Sequence, residues 1–146
     1  MKYSFASAED ETAIRKLLAD SALHHEDIST AQLRHFRLVL DGPRLVAVVG
    51  LEIKNHNALL RSLAVDTDYR NRKIASRLVR EIEDYARSLK VETLYLLTMT
   101  AEIFFEKCGY RQTARDSAPA VIQGTSEFQS LCPASATCMV KYLGKE

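Results

Sequence analysis

The sequence predicts a mixed α/β or α+β fold in one domain, residues 1–146, and three observations predict it. Runs of apolar, often β-branched residues flank Asp41-Gly42-Pro43 and Asn55-His56-Asn57, the pattern of a strand meander broken by turns. Downstream, the apolar period changes to 3.6 between Ile74 and Leu89, which marks an amphipathic helix. Strand-like and helix-like stretches then alternate to the end of the chain. With 146 residues, 47% of them apolar and 27% charged, the chain can bury roughly 70% of its unfolded surface without staples.

Taken in order, residues 2–6 are expected as an opening strand. Ser7 or Asp10 offers an N-cap to a helix over 12–19, whose Ile14, Leu17 and Leu18 recur at helical spacing. Residues 22–33 are polar and carry His24 and His25, so a short helix or loop is expected there. Strands follow over 35–40, 44–53 and 58–65, separated by the two turns. On the helix over 74–89, Ile74, Leu78, Val79, Ile82, Tyr85, Ala86 and Leu89 mark the buried face, with Arg77, Arg80, Glu81, Glu83, Asp84 and Arg87 on the others. A strand over 91–97 and a short helix over 101–107 come next, the latter closed by Gly109 in the C-terminal capping position. A helix is expected after Pro119 within 117–131, and a closing strand over 137–143.

Twenty basic against nineteen acidic residues give a net charge of +1, so nothing in the charge argues for nucleic acid or an anionic membrane. The first ten residues hold no apolar stretch long enough for a signal peptide, and the most apolar run, 45–51, is about a third of a membrane span. A cytoplasmic protein is expected. Cys108, Cys132 and Cys138 are odd in number and lack C-x-x-C spacing, which fits reduced thiols better than disulfides or zinc; no metal is expected.

The segment with chemistry in it is 61–78. A strand, Arg61-Ser62-Leu63-Ala64-Val65, runs through a polar turn, Asp66 to Tyr69, into Arg70-Asn71-Arg72-Lys73-Ile74-Ala75-Ser76 at a helix start. Helix starts expose unpaired N–H groups and the positive end of the macrodipole, which suits a pyrophosphate. Arg70, Arg72 and Lys73 add positive charge, and the small Ala75 allows close approach. The same residues equally describe a basic, solvated helix start that carries no ligand.

This segment resembles the coenzyme A-binding motif of the GNAT acetyltransferase superfamily, R/Q-x-x-G-x-G/A directly after a strand. Arg70 matches the first position and Ala75 the last; Ile74 is typical, Lys73 replaces the usual glycine, and Asn71 stands where a second glycine is common. A second block, Thr98 to Tyr110, resembles the superfamily's N-x-x-A-x-x-F-Y-x-x-x-G-F/Y element, with Thr98 at the Asn position and Phe105 at the Tyr position. Leu96-Leu97-Thr98, followed by an Ala-containing helix with Phe104-Phe105, resembles the N-acetylglutamate synthase branch, and Gly50-Leu51-Glu52, Leu60-Arg61-Ser62-Leu63 and Cys132-Pro133-Ala134-Ser135-Ala136 are similar to phrases of the single-domain acetyltransferases linked to arsenic resistance.

The resemblance implies a six- to seven-stranded, mostly antiparallel sheet flanked by helices, with one splayed pair of parallel strands, here 58–65 and 91–97. It implies acetyl-CoA as the acyl donor. The pantetheine arm would pair with backbone of Leu63 and Val65, the pyrophosphate would sit on N–H groups from Arg70 to Ser76, and an N–H at Leu63 or Ala64 would stabilise the oxyanion. Thr98, Ala101, Phe104 and Phe105 would also contact the cofactor.

Catalysis would be largely positioning, with a base to neutralise the attacking amine. Glu52 is the candidate base, since a carboxylate within an apolar strand carries a desolvation penalty; a solvent-facing Glu52, or one paired with Arg61, is the alternative. Phe105 cannot donate a proton to the departing thiolate, so water, Thr98 or Thr100 would do so, or the thiolate would leave unaided. Arg61, with Ser62 beside it, could hold an acceptor carboxylate through its planar fork, or simply be an exposed strand arginine. His24 falls where such proteins place substrate-facing loops. Cys132 and Cys138 could bind a soft centre only if they converge. The implied acceptor is a small-molecule amine, an amino acid or glutamate-like compound, in a protein whose closing strand often forms homodimers. The competing expectation is a catalytically degenerate relative that binds coenzyme A as a sensor or interaction module.

Overall fold

The structure is a computed structural model that describes residues 1–144. Its elements are β1 (Lys2–Phe5), α1 (Glu11–Asp20), β2 (Phe36–Asp41), β3 (Arg44–Lys54), β4 (Asn57–Val65), α2 (Ile74–Ser88), β5 (Thr93–Thr98), α3 (Glu102–Lys107), β6 (Arg111–Gln112), α4 (Ala120–Gln123) and β7 (Thr137–Tyr142). Among the described residues the seven strands form a mixed sheet in the order β1-β2-β3-β4-β5-β7-β6. No helix among them is long and apolar enough to cross a membrane.

The chain divides into two compact units. The first comprises Met1–Glu52 and Arg61–Ile82, the second Ile53–Leu60 and the chain from Glu83 onward. In the first, β1 pairs antiparallel with β2, and β2 with β3. The Asp41↔Arg44 pair closes a two-residue connection in which Gly42, at φ 60, supplies the positive φ that such tight hairpins need. Ile14, Leu17 and Leu18 of α1 pack with Leu33, Phe36, Leu38 and Val48 in one apolar cluster. Each such fully buried side chain contributes roughly 1.5–3 kcal/mol. Gly50 is required for space: a Cβ there would lie 2.4 Å from the Phe36 ring.

In the second unit, β4 and β5 pair in parallel over Asn57↔Thr93, Ala58↔Leu94 and Leu59↔Tyr95, while β5 and β6 each pair antiparallel with β7. Leu59, Ala118, Ile122, Phe128 and Cys138 form its apolar cluster. Glu83, expected on the polar side of α2, is buried. It is satisfied there by the Tyr110 hydroxyl at 2.8 Å and Lys141 Nζ at 2.9 Å. Leu89, expected on the buried face, is exposed just beyond the helix.

Helix ends explain most shifted boundaries. After α3, Gly109 (φ 98) donates to Glu106 O and Tyr110 to Phe105 O, the Schellman pairing that the glycine predicts. After α2 the same pairing recurs with Lys90 (φ 68) as the left-handed residue, its N–H on Arg87 O and Val91 N–H on Ala86 O. Val91 therefore belongs to the cap, and β5 begins at Thr93 rather than 91. The helix expected within 117–131 is only α4, capped at Gly124, followed by a π-helical turn over Glu127–Leu131. β6, two residues long, was not anticipated.

Candidate active site

Two elements of the first unit carry most of the predicted site residues. The turn after β4 is held by its own side chains. Asp66 accepts from Asp68 N–H at 2.9 Å and pairs with Arg44 at 2.9 Å, and these bonds hold its carboxyl below the usual carboxylate range. Arg44 and Arg72 lie 5.2 and 4.8 Å from the centre of the Tyr69 ring, and the Tyr69 hydroxyl donates to Asp41. Arg70 Nε donates to Val65 O and Arg72 to Asp68 O, both at 3.2 Å.

These bonds spend part of the arginine donors on the turn itself, which leaves its shape set by Arg70 and Arg72. Asn71 and Lys73 both adopt left-handed backbone, φ 63 and 62. The turn thus keeps the conformation for which glycine is the usual choice, at two positions without glycine. Lys73 stays outside the helix: α2 begins at Ile74, and the first bond of its ladder runs from Arg77 N to Lys73 O at 3.2 Å. Ile74 is buried under this start, Ala75 and Ser76 are half-buried, and Asn71, Arg72 and Lys73 are exposed.

The second element is centred on Arg61. A strand buried on both faces has no water to offer a guanidinium, so partners must come to it. Arg61 Nη1 donates to Asp27 Oδ2 at 2.5 Å and to Glu52 Oε1 at 2.7 Å, Nη2 donates to Asp27 Oδ1 at 2.7 Å, and Nε donates to Ser62 Oγ at 3.0 Å. The Arg61 side chain is 1% exposed, Asp27 15% and Glu52 10%. Burial pushes the Asp27 carboxyl up, but the Arg61 hydrogen bonds and charge outweigh it and hold it below its ordinary value.

Arg61 is therefore not the exposed strand residue that the sequence allowed, its fork is engaged by carboxylates of its own unit, and Glu52 has the Arg61 pairing that the sequence held as the alternative to a free base. Ser62 stands at φ 60 inside β4, a bulge-like interruption immediately before Leu63. Leu63 and Val65 are half-buried and Ala64 is buried. His24, half-exposed, faces Glu26 at 3.6 Å.

Asp27 is the site residue that sequence reasoning missed. It is a single carboxylate in a polar loop, 34 positions from Arg61, with no motif around it. Its partner carried the only signal: an arginine within the apolar strand Ala58 to Val65 demands a carboxylate from somewhere.

In the second unit, Thr98 Oγ1 accepts from Ala101 N–H at 3.0 Å and so caps the start of α3. As acceptor there, the hydroxyl keeps its own proton for donation. Phe104 and Phe105 meet edge to face with centres 5.1 Å apart, and Phe105 meets Tyr110 at 5.6 Å. Phe105 is buried and apolar at the position where an acid would stand, whereas Thr100 is exposed. Cys138 lies in the apolar cluster, where burial raises its thiol pKa. Among the described residues, no group of three or more His, Cys, Asp or Glu side chains could hold a metal ion.

Comparison with known proteins bears on the whole arrangement. The chain resembles one solved structure of N-acetylglutamate synthase from Neisseria gonorrhoeae, complexed with coenzyme A and L-arginine, at 18% identity and a TM-score of 0.83, over 99% of this chain and 33% of that one. The chain thus spans about a third of the synthase. An acetyltransferase of the GNAT family from Staphylococcus aureus matches at 18% identity and a TM-score of 0.76, over 98% of this chain and 99% of that one. An aminoglycoside 6'-N-acetyltransferase complexed with coenzyme A matches at 16% identity and a TM-score of 0.71, over 100% and 99%. These likenesses show a shared fold. No curated protein sequence matches. The acetyltransferase (GNAT) family model matches residues 4–110, well over half of the chain, from within β1 through the Thr98 to Tyr110 block. The protein belongs to the acetyltransferase (GNAT) family.

Proposed function

We propose that the protein is an N-acetyltransferase that moves an acetyl group from acetyl-CoA to the amine of a small molecule. The observation that carries this reading is the turn from Asp66 to Lys73, whose left-handed Asn71 and Lys73 lead into the N-terminus of a 15-residue helix. Left-handed residues in a turn gather successive N–H groups into a concavity suited to anions, and the helix start adds its own unpaired donors. The donor set fits a pyrophosphate: backbone N–H groups of residues 70–76, with the exposed charges of Arg70, Arg72 and Lys73 around them. Synthase and aminoglycoside acetyltransferase structures of the same fold, both complexed with coenzyme A, support the choice of ligand.

When bound, acetyl-CoA supplies an acetyl thioester; the chain's own residues do the rest. Leu63 and Val65 offer backbone to the pantetheine arm. The N–H following the left-handed Ser62, that of Leu63, is the oxyanion donor, with Ala64 next to it. Glu52 takes the proton of the acceptor amine, whose nitrogen lone pair forms the new C–N bond as the C–S bond breaks. Water or the Thr98 hydroxyl would supply the proton for the departing thiolate, because Phe105 has none to give. Ala101 and Phe104 belong to the same proposed cofactor contacts.

The acceptor, in the finer reading, is an amino acid or glutamate-like compound, which the likeness to the synthase supports. Any carboxylate on it is recognised elsewhere than at Arg61, whose fork already faces Asp27. His24 and Ser62 remain the candidate acceptor contacts. A cytoplasmic setting and a homodimer through the closing strand complete the proposal, without nucleic acid or membrane as partners; the balanced charge supports the absence of nucleic acid.

Phe105 at the acid position favours one second reading, a relative that binds coenzyme A without turnover. Calorimetry with acetyl-CoA, followed by thiol-release assays over a panel of amino acids and other amines, separates the two. Absence of binding at millimolar acetyl-CoA would sink both, and binding without thiol release on any amine supports the second.

A further inference from the structure

We propose that Asp27 is a positioning residue for the transfer, acting through Arg61 to keep Glu52 available to the acceptor amine. The inference rests on Glu52 being the base. Both oxygens of Asp27 meet both terminal nitrogens of Arg61, the fork-on-fork geometry of the strongest charge-assisted pairs. Glu52 meets the same guanidinium through Oε1 at 2.7 Å. All three groups are largely withdrawn from water, where a guanidinium draws hard on any carboxylate within reach. Asp27 answers that draw from one side, so the Oε1 bond orients Glu52 without claiming the whole carboxylate, and Oε2 is the oxygen assigned to the proton. Without the Asp27 charge, Arg61 pulls more strongly on Glu52, and the base is tied down or turned away.

Asp27 is itself held in place from both sides. Arg15, on α1, donates to the carbonyls of His25 and Ile28. Arg15 Nε also bonds Glu11 at 3.1 Å, and Glu11 accepts from the Thr30 hydroxyl at 2.9 Å. The loop is thus anchored to α1 at residues 25, 28 and 30, with Asp27 inside the anchored stretch. Arg61 holds the Asp27 carboxylate and Arg15 the backbone on either side of it, the arrangement expected where placement, and not merely charge, matters.

The test is a double-mutant cycle on the full chain, with Asp27→Asn, Glu52→Gln and both together, followed by steady-state transfer to an accepted amine. Asp27→Asn keeps the shape and removes the charge. It is expected to lower kcat at least about 10-fold while leaving KM for acetyl-CoA within about twofold. Asp27→Glu is expected to recover part of the loss. In the Glu52→Gln background, Asp27→Asn should add no further loss, because it acts through Glu52. Losses that multiply, an unchanged kcat in Asp27→Asn, or an acetyl-CoA KM that rises in step with the fall in kcat would each overturn the inference. If Asp27→Asn does not fold, Asp27→Glu carries the cycle: its smaller loss of kcat should vanish in the Glu52→Gln background, and a loss that persists there would overturn the inference. A wild-type chain that transfers acetyl to no amine removes the transferase reading and this inference with it. An active wild type with independent losses removes the inference alone.

Discussion

Lys73 stands where glycine is usual, and its backbone nevertheless takes the left-handed conformation, φ 62. Lys73→Ala and Lys73→Gly both remove the ammonium and the long side chain, so they differ only in what the backbone tolerates. A left-handed residue with a Cβ carries roughly 1–2 kcal/mol of strain. Glycine relieves that strain and loses roughly 0.5–1 kcal/mol through its greater freedom in the unfolded chain. The difference leaves Lys73→Gly more stable than Lys73→Ala by about 1 kcal/mol, or about 2–4 °C in Tm for a domain of this size. At an ordinary strand or helix position the order is reversed, so the sign alone decides. Denaturant titration with an unchanged m-value is the assay. Lys73→Gly equal to or less stable than Lys73→Ala would refute the reasoning, because the turn would then not be set by a left-handed residue. Calorimetry on the same variants reads the ligand side. Since the turn already has its shape and the Lys73 side chain is exposed, acetyl-CoA affinity is expected to change by less than tenfold, about 1.4 kcal/mol. A larger tightening in Lys73→Gly would show that the side chain obstructs the site.

Other perturbations follow from single contacts. Gly50→Ala places a Cβ 2.4 Å from the ring of fully buried Phe36, and overpacking of this kind costs about 1–3 kcal/mol, read as a lower denaturation midpoint. Tyr110→Phe removes the hydroxyl from buried Glu83, leaving Lys141 as its remaining hydrogen-bond donor, and is expected to cost about 1–3 kcal/mol by the same measurement. The Asp27 carboxyl is held below its ordinary value, so its contribution to stability is present above about pH 4 and is lost as the pH falls through its folded value. Asp27→Asn should therefore flatten the acid limb of the stability curve; an acid limb identical to that of the wild type would show that Arg61 does not favour the charged form.

Elements with a strong local signal were legible. The 3.6 period of α2, the Asp41-Gly42-Pro43 hairpin and the glycine cap after α3 each state their structure within a few residues. Two helix ends share one hidden device. Lys90 closes α2, and Ala22, at φ 58, closes α1, through the same left-handed cap that Gly109 makes, but neither residue advertises it. β6 pairs only Arg111 and Gln112 with Val140 and Met139, too short for any alternation to show. Glu83 looked solvated because a charge beside an apolar stripe usually is. Tyr110 and Lys141, remote in sequence, make its burial tolerable.

The chain's own order of residues determined the family and the turn proposed to hold the pyrophosphate. Arg70, Ile74 and Ala75 follow a strand and open a helix, and chemistry that depends on backbone N–H groups at a helix start is local enough to be written in a dozen consecutive residues. What the tertiary structure decided was the charge arrangement around Arg61. A buried guanidinium requires carboxylates, but which ones depends on chain reversals that bring residue 27 and residue 52 to residue 61. Such pairings carry no periodicity and no motif. Burial raises the strength of an ion pair and the penalty for lacking one, so the fold, and not the neighbouring sequence, selects the partner.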